Sequence, residues 1–475
     1  MRAAFIRNFS IHLAQLASNQ LFGILTFLVL SWHLGKEDFG LLNWYLALLL
    51  TVFSILSFGI DKIVVRKIAS GEDPAQMAGL FLKHAVVSSA VVYLLIIFCA
   101  VIFGDALPDT TLLLILAAGK ISVFLSTPFK QLALGLERFR WLLHMSVYSY
   151  IIKAVGLVIL VLVTELQLMH VAILFMAAEW IELLIVRVIA RRYALNPLPL
   201  RGYTRLFREA IPQAGVEIFA AALGRIDWIL IGFLLTSVHV AEYSFAYKAF
   251  ELSTLPLLAV GPMLIPFFTR MYGDRSGERA GMWQLLRYEI IAACFIGLSL
   301  VMFWVPVTDV LTNGKYGTVN QAVILILALA MPVLYVNNFF WTIHFAQARM
   351  KLILRAFAIT CGFNIIANIV LLPVWGNEGA AIAYLASMMI HTALYLPYIN
   401  RDRITRIAGM MAVYTILSLG SGFGAVLLIS DPIGASFAAT GCYLLVAAII
   451  HFRRMKRPLV RASHPAPAEA TAPTS

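Results

Sequence analysis

Long apolar runs follow one another along almost the whole chain, separated by short polar turns. A helix needs about 20 apolar residues to cross a bilayer core. By that measure fourteen spans are expected, near residues 10–34, 39–60, 79–103, 111–134, 141–164, 168–190, 211–235, 241–268, 284–309, 320–345, 352–372, 379–398, 407–430 and 432–452. The pattern predicts an all-α polytopic membrane protein of 14 transmembrane helices.

Composition agrees, because only 13% of the 475 residues are charged, against about 25% in a soluble domain. The formal charge of +12 does not form a nucleic-acid patch, since the bases are parcelled into short loops. Alternate loops collect them: 28 of the 36 lysines and arginines fall on one side and only Lys36 and Lys315 on the other, with six inside spans. The positive-inside rule then places both termini in the cytoplasm, with the inner membrane as the expected location. The first apolar run is too long for a signal peptide. Cys99, Cys294, Cys361 and Cys442 lie inside spans, without metal-ligand spacing, and read as small buried hydrophobes. The Pro/Ala/Thr-rich end, 458–475, is expected to be a disordered cytoplasmic tail.

Two stretches repeat. "LVLSWHLGKEDFGLLNWY" (28–45) overlays "ILIGFLLTSVHVAEYSFAY" (229–247) at an offset of 201, and "LERFR" (136–140) overlays "QARMK" (347–351) at 211. The second offset sets Lys153 opposite Asn364. Expected divisions are an N-lobe over 1–200 (spans 1–6), a C-lobe over 201–400 (spans 7–12) and spans 13–14 over 401–457. Each lobe has an even number of spans, so the copies share an orientation and face each other across a central cleft. No phosphate-binding loop, HExxH or nucleophile elbow is present; "AAGKIS" (117–122) lacks the spacing.

Polar residues recur at helical spacing: His12, Gln15, Asn19, Thr26 and His33 in span 1; Asn43, Ser54, Ser57 and Asp61 in span 2; Ser146, Ser149 and Lys153 in span 5; Asn337, Trp341 and His344 in span 10. Such stripes face either a water-filled cleft or neighbouring helices that they hydrogen-bond. Gln15, Asn19, Asn43, Asn337, His344 and Asn364 are the cavity candidates. Among charges, Lys83, Lys130 and Glu289 are shallow and the two lysines can snorkel. Lys120, Lys153, Glu179, Glu182, Glu217, Arg225, Asp227, Lys248 and Glu251 are deep, where a charge costs about 2.5–3.5 kcal/mol on insertion scales. Either they serve function or they pair structurally. Arg225, Lys153, Lys248 and Lys120 are the candidate cavity cations. Glu217, Asp227, Glu182, Glu179 and Glu251 are the candidate ion-coupling carboxylates, although Lys248 and Glu251, three residues apart, can neutralise each other. Arg225 and Asp227, within "GRIDWILIGFLL" (224–235), point about 200° apart on a helix, so each needs its own partner. Asp227 is either an ion-coupling carboxylate or the partner of a base on another span. Trp228, Tyr243, Tyr247 and Trp341 could offer platforms to a sugar.

Several stretches resemble the Wzx-type oligosaccharide flippases of the multidrug/oligosaccharidyl-lipid/polysaccharide exporter superfamily. "WHLGKEDFGLLNWY" resembles the family's first hairpin and "FGIDKIVVRKIA" (58–69) its second-helix exit. "GRIDWILIGFLL" with "VAEYSFAYK" resembles the start of its second lobe, and "FNIIANIVLLPVWGNEGAAIAY" (363–384) its spans 11–12. The resemblance covers about residues 8–400. It implies alternating-access export of an oligosaccharide linked to undecaprenyl diphosphate or a similar polyprenyl lipid, with no cofactor and no enzymatic step. Membrane lipids, a polysaccharide polymerase and chain-length proteins are the implied partners; nucleic acid is not. Lipid II export, drug or amphiphile export and an integral-membrane glycan polymerase are the alternatives. Fourteen spans count against a drug antiporter. A span 1 without Asp, Glu, Lys or Arg departs from the lipid II carriers. The absence of a large extramembrane loop counts against an enzyme.

Overall fold

The computed structural model describes residues 2–102, 108–191, 193, 200–257, 264, 268 and 279–455. The expected tail, the end of span 8 and the bases Arg192, Arg270, Arg275, Lys456, Arg457 and Arg461 lie outside them, as do the side chains of Arg2, Arg7, His12, Arg201, Arg279, Arg453 and Arg454. Among the described residues the chain is helical, without strands. The helices are α1 (Arg2–His33), α2 (Lys36–Ser57), α3 (Ile60–Ala69), α4 (Pro74–Ile102), α5 (Thr110–Gly135), α6 (Phe139–Val163), α7 (Leu168–Ile189), α8 (Leu200–Leu234) and α9 (Ser237–Ser253). After the next connection come α10 (Arg279–Thr312), α11 (Gln321–Ala346), α12 (Met350–Tyr395), α13 (Arg401–Leu428) and α14 (Pro432–Met455).

Ten described stretches are long and apolar enough to cross a membrane by length and composition. Those over α7, α8 and α9, which carry Glu179, Glu182, Arg225, Asp227 and Lys248, are not among the ten. The stretch over α12 counts once but is two antiparallel limbs. Gly376 (φ 56°, ψ −134°) breaks the helix. Beyond it, Asn364 bonds Ser387 at 3.1 Å and Thr360 meets His391 at 2.9 Å, pairings that only a reversed chain can make. Spans 11 and 12 are thus joined by a single residue. Span 2 differs from expectation. It stops at Phe58 and Gly59, both left-handed (φ 51° and 67°), and Asp61 belongs to α3. The stripe from Asn43 to Asp61 is therefore broken, although Ser57 still donates to Asp61 at 3.0 Å across the break.

The turn chemistry repeats at the two offsets seen in the sequence. Leu34 N–H bonds Leu30 O and Phe39 N–H bonds Gly35 O; Leu235 N–H bonds Ile231 O and Val240 N–H bonds Thr236 O, each 201 residues later. At 211, Glu137 (φ 55°) matches Ala348 (φ 56°), and Arg138 N–H to Ala133 O matches Arg349 N–H to His344 O. Packing repeats as well. α1 lies on α6 as α8 lies on α12; α4 lies on α5 as α10 lies on α11; α5 packs on α7 as α11 packs on α12. α13 and α14 are an addition, packed on each other and on α10. Their outer faces, including Leu428 and Leu445, are bare apolar surface, as is α4 at Val91 and Leu94, which is the composition of a lipid-facing belt. This is a multi-pass membrane protein.

α2 joins the two halves by lying along both α8 and α9. The junction is closed at the Lys36/Lys315 end. Lys36 pairs with Glu242 at 2.6 Å, and Lys315 reaches the carbonyls of Ser31 and Leu34 at 2.7 and 2.6 Å. Phe27 meets Phe245 and Phe39 meets Tyr316 across the junction, with centroids 5.6 and 6.0 Å apart. At the basic end Lys67 bonds Glu209 at 3.0 Å and Phe58 stacks on Phe207 at 4.5 Å. Gly59 is placed where a Cβ would lie 3.1 Å from the Ala214 amide nitrogen, so α3 and α8 touch backbone to backbone. Left-handed φ and this approach together predict that Gly59→Val lowers stability by about 2 kcal/mol or more. Gly441→Ala, facing open space, is expected to leave it unchanged; thermal unfolding in detergent measures both.

Candidate functional site

Helix α7 buries a carboxylate where α5 and α6 each bring a lysine. Glu179 is 1% exposed. Its Oε1 accepts from Lys120 of α5 and from Lys153 of α6, the latter at 2.6 Å. Gly119 makes room, since a Cβ there would meet the Glu179 carboxylate. Lys153 also lies 5.1 Å from the Phe175 ring. Further along α5 and α7, Lys130 donates to Glu182. Lys130 is therefore held by a carboxylate instead of snorkelling freely as the sequence led us to expect. These three lysines and two glutamates carry a formal charge of +1.

A second cluster, of one arginine, one lysine and one glutamate, forms between α8 and α9. Arg225 Nη2 donates to Glu251 Oε1 at 2.8 Å, and Lys248 donates to Glu251 Oε2 at 2.9 Å. The Arg225 guanidinium lies 4.8 Å from the Trp228 ring and 5.6 Å from Tyr247. Two cations again share one carboxylate, for a net +1. At 1.5 Å rise per residue, Arg225, Lys120, Lys153 and Glu179 all lie roughly 14–17 Å from the helix ends opposite the basic side. That is mid-depth in a hydrocarbon core about 30 Å thick. Yet Lys153 keeps 16% of its side chain exposed, Lys248 24% and Glu251 31%. Charged groups at this depth face bundle interior or water-filled space, not lipid. Of the two clusters, the Arg225 cluster borders a cavity, through Gly224 and Tyr247.

Asp227 stands apart. It is 2% exposed and accepts from Asn368 at 2.8 Å and from the Tyr243 hydroxyl at 3.1 Å. Asn368 also bonds Asn364. Among the described residues its hydrogen-bond donors are neutral and it forms no ion pair, unlike the partner of a base that was one of the two sequence readings. Arg225 and Asp227 indeed have separate partners.

The remaining sequence candidates fall in different places. Asn364 is fully buried and joins the Asp227 network from the position that Lys153 holds in the other half. Asn337 donates to Met388 O at 2.9 Å and accepts from Thr392 at 2.6 Å. Asn43 is buried and donates to Phe39 O of its own helix. Gln15 is buried, and Asn19 half-buried with its side-chain oxygen unpartnered. His344 packs between Tyr395 and Tyr398 near Arg349, at the basic end. Glu217 accepts from Gln213 one turn back on α8 and joins neither cluster. Glu289 is 7% exposed, with neither oxygen partnered. Asn368 was missed, although its spacing of four from Asn364 was visible and places both on one helix face.

Residues 5–272, more than half of the chain, match the family described as polysaccharide biosynthesis protein. An uncharacterized membrane protein of Methanocaldococcus jannaschii is 24% identical over 182 residues, 38% of this chain and 36% of that protein. The chain thus aligns with about a third of the length of that relative. Among solved structures, the lipid II flippase MurJ in an inward closed conformation superposes with a TM-score of 0.77 at 13% identity, covering 94% of this chain and 99% of that one. An inward-facing multidrug resistance MATE family transporter of the MOP superfamily gives 0.66 at 12% identity, over 84% of this chain and 98% of that one. A MOP superfamily transporter from Pyrococcus furiosus gives 0.60 at 11%, over 86% and 96%. At these identities the superpositions establish the fold. By sequence and architecture together, the chain belongs to the polysaccharide biosynthesis protein family.

Proposed function

We propose that the protein is a flippase that carries a polyprenyl-diphosphate-linked oligosaccharide repeat unit from the cytoplasmic to the outer leaflet of the bacterial inner membrane, by ion-coupled alternating access. The observation that carries this reading is the pair of mid-depth charge clusters, one in each half, where two cations share one carboxylate. A diphosphate is anionic throughout its passage, so the path must hold fixed positive charge away from bulk water. Cations alone at that depth would be expensive. A shared carboxylate keeps each pair ordered and leaves a net +1 for the ligand. Arg225 adds a planar fork suited to two phosphate oxygens.

Lys36–Glu242 and Lys315 tie the halves at one end and Lys67–Glu209 ties them at the basic end, the end that the charge bias assigns to the cytoplasm. Both termini then lie in the cytoplasm. Asp227 fits the coupling role because its donors are neutral: gaining a proton or a cation changes its charge without breaking an ion pair. Lipid II is the second reading, favoured by the TM-score of 0.77 to its flippase over 94% of the chain. The span 1 without charged residues supports the oligosaccharide repeat unit.

Deleting the gene in the native bacterium should accumulate the lipid-linked repeat in the inner leaflet and remove the surface glycan. Unchanged glycan with greater dye sensitivity would assign the protein to drug efflux instead. In complementation at matched protein levels, Arg225→Ala should cut glycan export about tenfold or more, since a charge-assisted hydrogen bond is worth about 1.5–3 kcal/mol. Lys83→Ala should export normally, and equal export by both would refute the Arg225 assignment. Asp227→Asn should abolish the dependence of transport on the ion gradient in vesicles while cargo binding persists; a gradient dependence equal to wild type would remove Asp227 from coupling.

A further inference from the structure

A cavity of about 110 Å³ lies at the basic end, sharing no wall residue with the large one of about 550 Å³ beside Arg225. It is bounded by the start of α10, the end of α11, the turns before and after α12 and the first turn of α13. Arg349, just before α12, and Arg403, on α13, are both in its wall. Each guanidinium is set against a ring. Arg349 lies 5.6 Å from Tyr398, and Arg403 lies 4.8 Å from Trp283. Stacking of this kind occupies the face of a guanidinium and leaves the N–H groups at its edge to donate.

Those donors are unspent. Among the described residues the wall holds no carboxylate, and neither arginine forms an ion pair. The acid next to Arg403, Asp402, is exposed and pairs with neither. The repeat sharpens the contrast. Arg349 matches Arg138, which lies 4.6 Å from the Trp141 ring. Arg138 follows an acid, Glu137, whereas Arg349 follows Ala348, at the same left-handed turn position. The first half thus carries a negative charge beside its arginine, and the second half does not.

The surroundings indicate what the missing anion is attached to. The charge bias assigns this end to the cytoplasm, and Trp and Tyr rings concentrate where helices leave the hydrocarbon. Tyr398 is 53% exposed there. From Arg403, α13 runs inward with Ile416, Leu419 and Phe423 on bare apolar surface. A basic pocket between helices, next to a lipid-facing helix, suits the headgroup of an anionic phospholipid.

We propose that this cavity binds the phosphodiester of an anionic phospholipid of the cytoplasmic leaflet, with Arg349 and Arg403 donating to its free oxygens and the acyl chains lying along α13. The two arginines stand on separate elements, so the bound lipid fastens the added helices α13 and α14 to the α11–α12 turn. The site rests on the orientation given by the charge bias and is independent of the cargo.

Native mass spectrometry of the purified full-length protein can compare phosphatidylglycerol with phosphatidylethanolamine, which has the same phosphodiester but no net charge. Thermal unfolding in detergent adds inorganic phosphate as a third probe. Wild type should retain phosphatidylglycerol preferentially and be stabilised by it. The double variant Arg349→Gln/Arg403→Gln should bind phosphatidylglycerol roughly tenfold more weakly or worse and lose the stabilisation. Arg401→Gln removes an exposed arginine outside the cavity and should behave as wild type. Unfolding without added lipid shows that each variant is folded. An undiminished preference in the folded double variant, or an equal loss in Arg401→Gln, overturns the site. Stabilisation by inorganic phosphate equal to that by phosphatidylglycerol overturns the lipid assignment in favour of a soluble phosphate.

Discussion

A charge inside a bilayer must find a partner, and meeting that demand organises the middle of this protein. Glu179 is buried on α7, and α5 and α6 each deliver a lysine to the same oxygen. Three helices are thereby tied at one point, at a depth where apolar packing between helices has no hydrophobic advantage over packing against lipid. Glu251 does the equivalent work for α8 and α9, taking Arg225 on one oxygen and Lys248 on the other. The same bonds that keep these helices together leave each cluster with one positive charge in excess.

Much of the fold was readable because the membrane constrains sequence so tightly. Apolar length gave the helices, and the offsets of 201 and 211 reappear as identical turn hydrogen bonds. The motif over 363–384, assigned to spans 11–12, crosses the reversal at Gly376 and holds part of both limbs. What could not be read was pairing across helices. Lys130 lies 52 residues from Glu182, and Asp227 lies 141 from Asn368, separations that no periodicity reports. The break at Phe58–Gly59 was also hidden. Its signal is a lone glycine whose backbone freedom serves contact with α8, and that need exists only once the halves meet. Glu289 shows the limit from the other side. It was assigned by depth alone, whereas its distinguishing property, a buried carboxyl without a hydrogen-bond donor, is visible only in three dimensions.

The two halves share architecture but divide their chemistry. Where the first places Lys153 for Glu179, the second places Asn364 within reach of Asp227's network. The first half is thus built from ion pairs at this level, and the second combines an ion cluster with a carboxylate held by neutral donors. The frame repeats at the two offsets while the residues at matched positions differ, so each half has its own electrostatic character.

The reversal at Gly376 has a mechanical consequence. A connection one residue long has no slack, so the limbs on either side of it cannot slide past each other or answer separately to a load. Asn368 on one limb touches Asp227, and His391 on the other lies in the wall of the large cavity. The hairpin therefore acts as a stiff lever. The limb that holds the carboxylate and the limb that lines the cavity thus form one continuous unit with no loop between them.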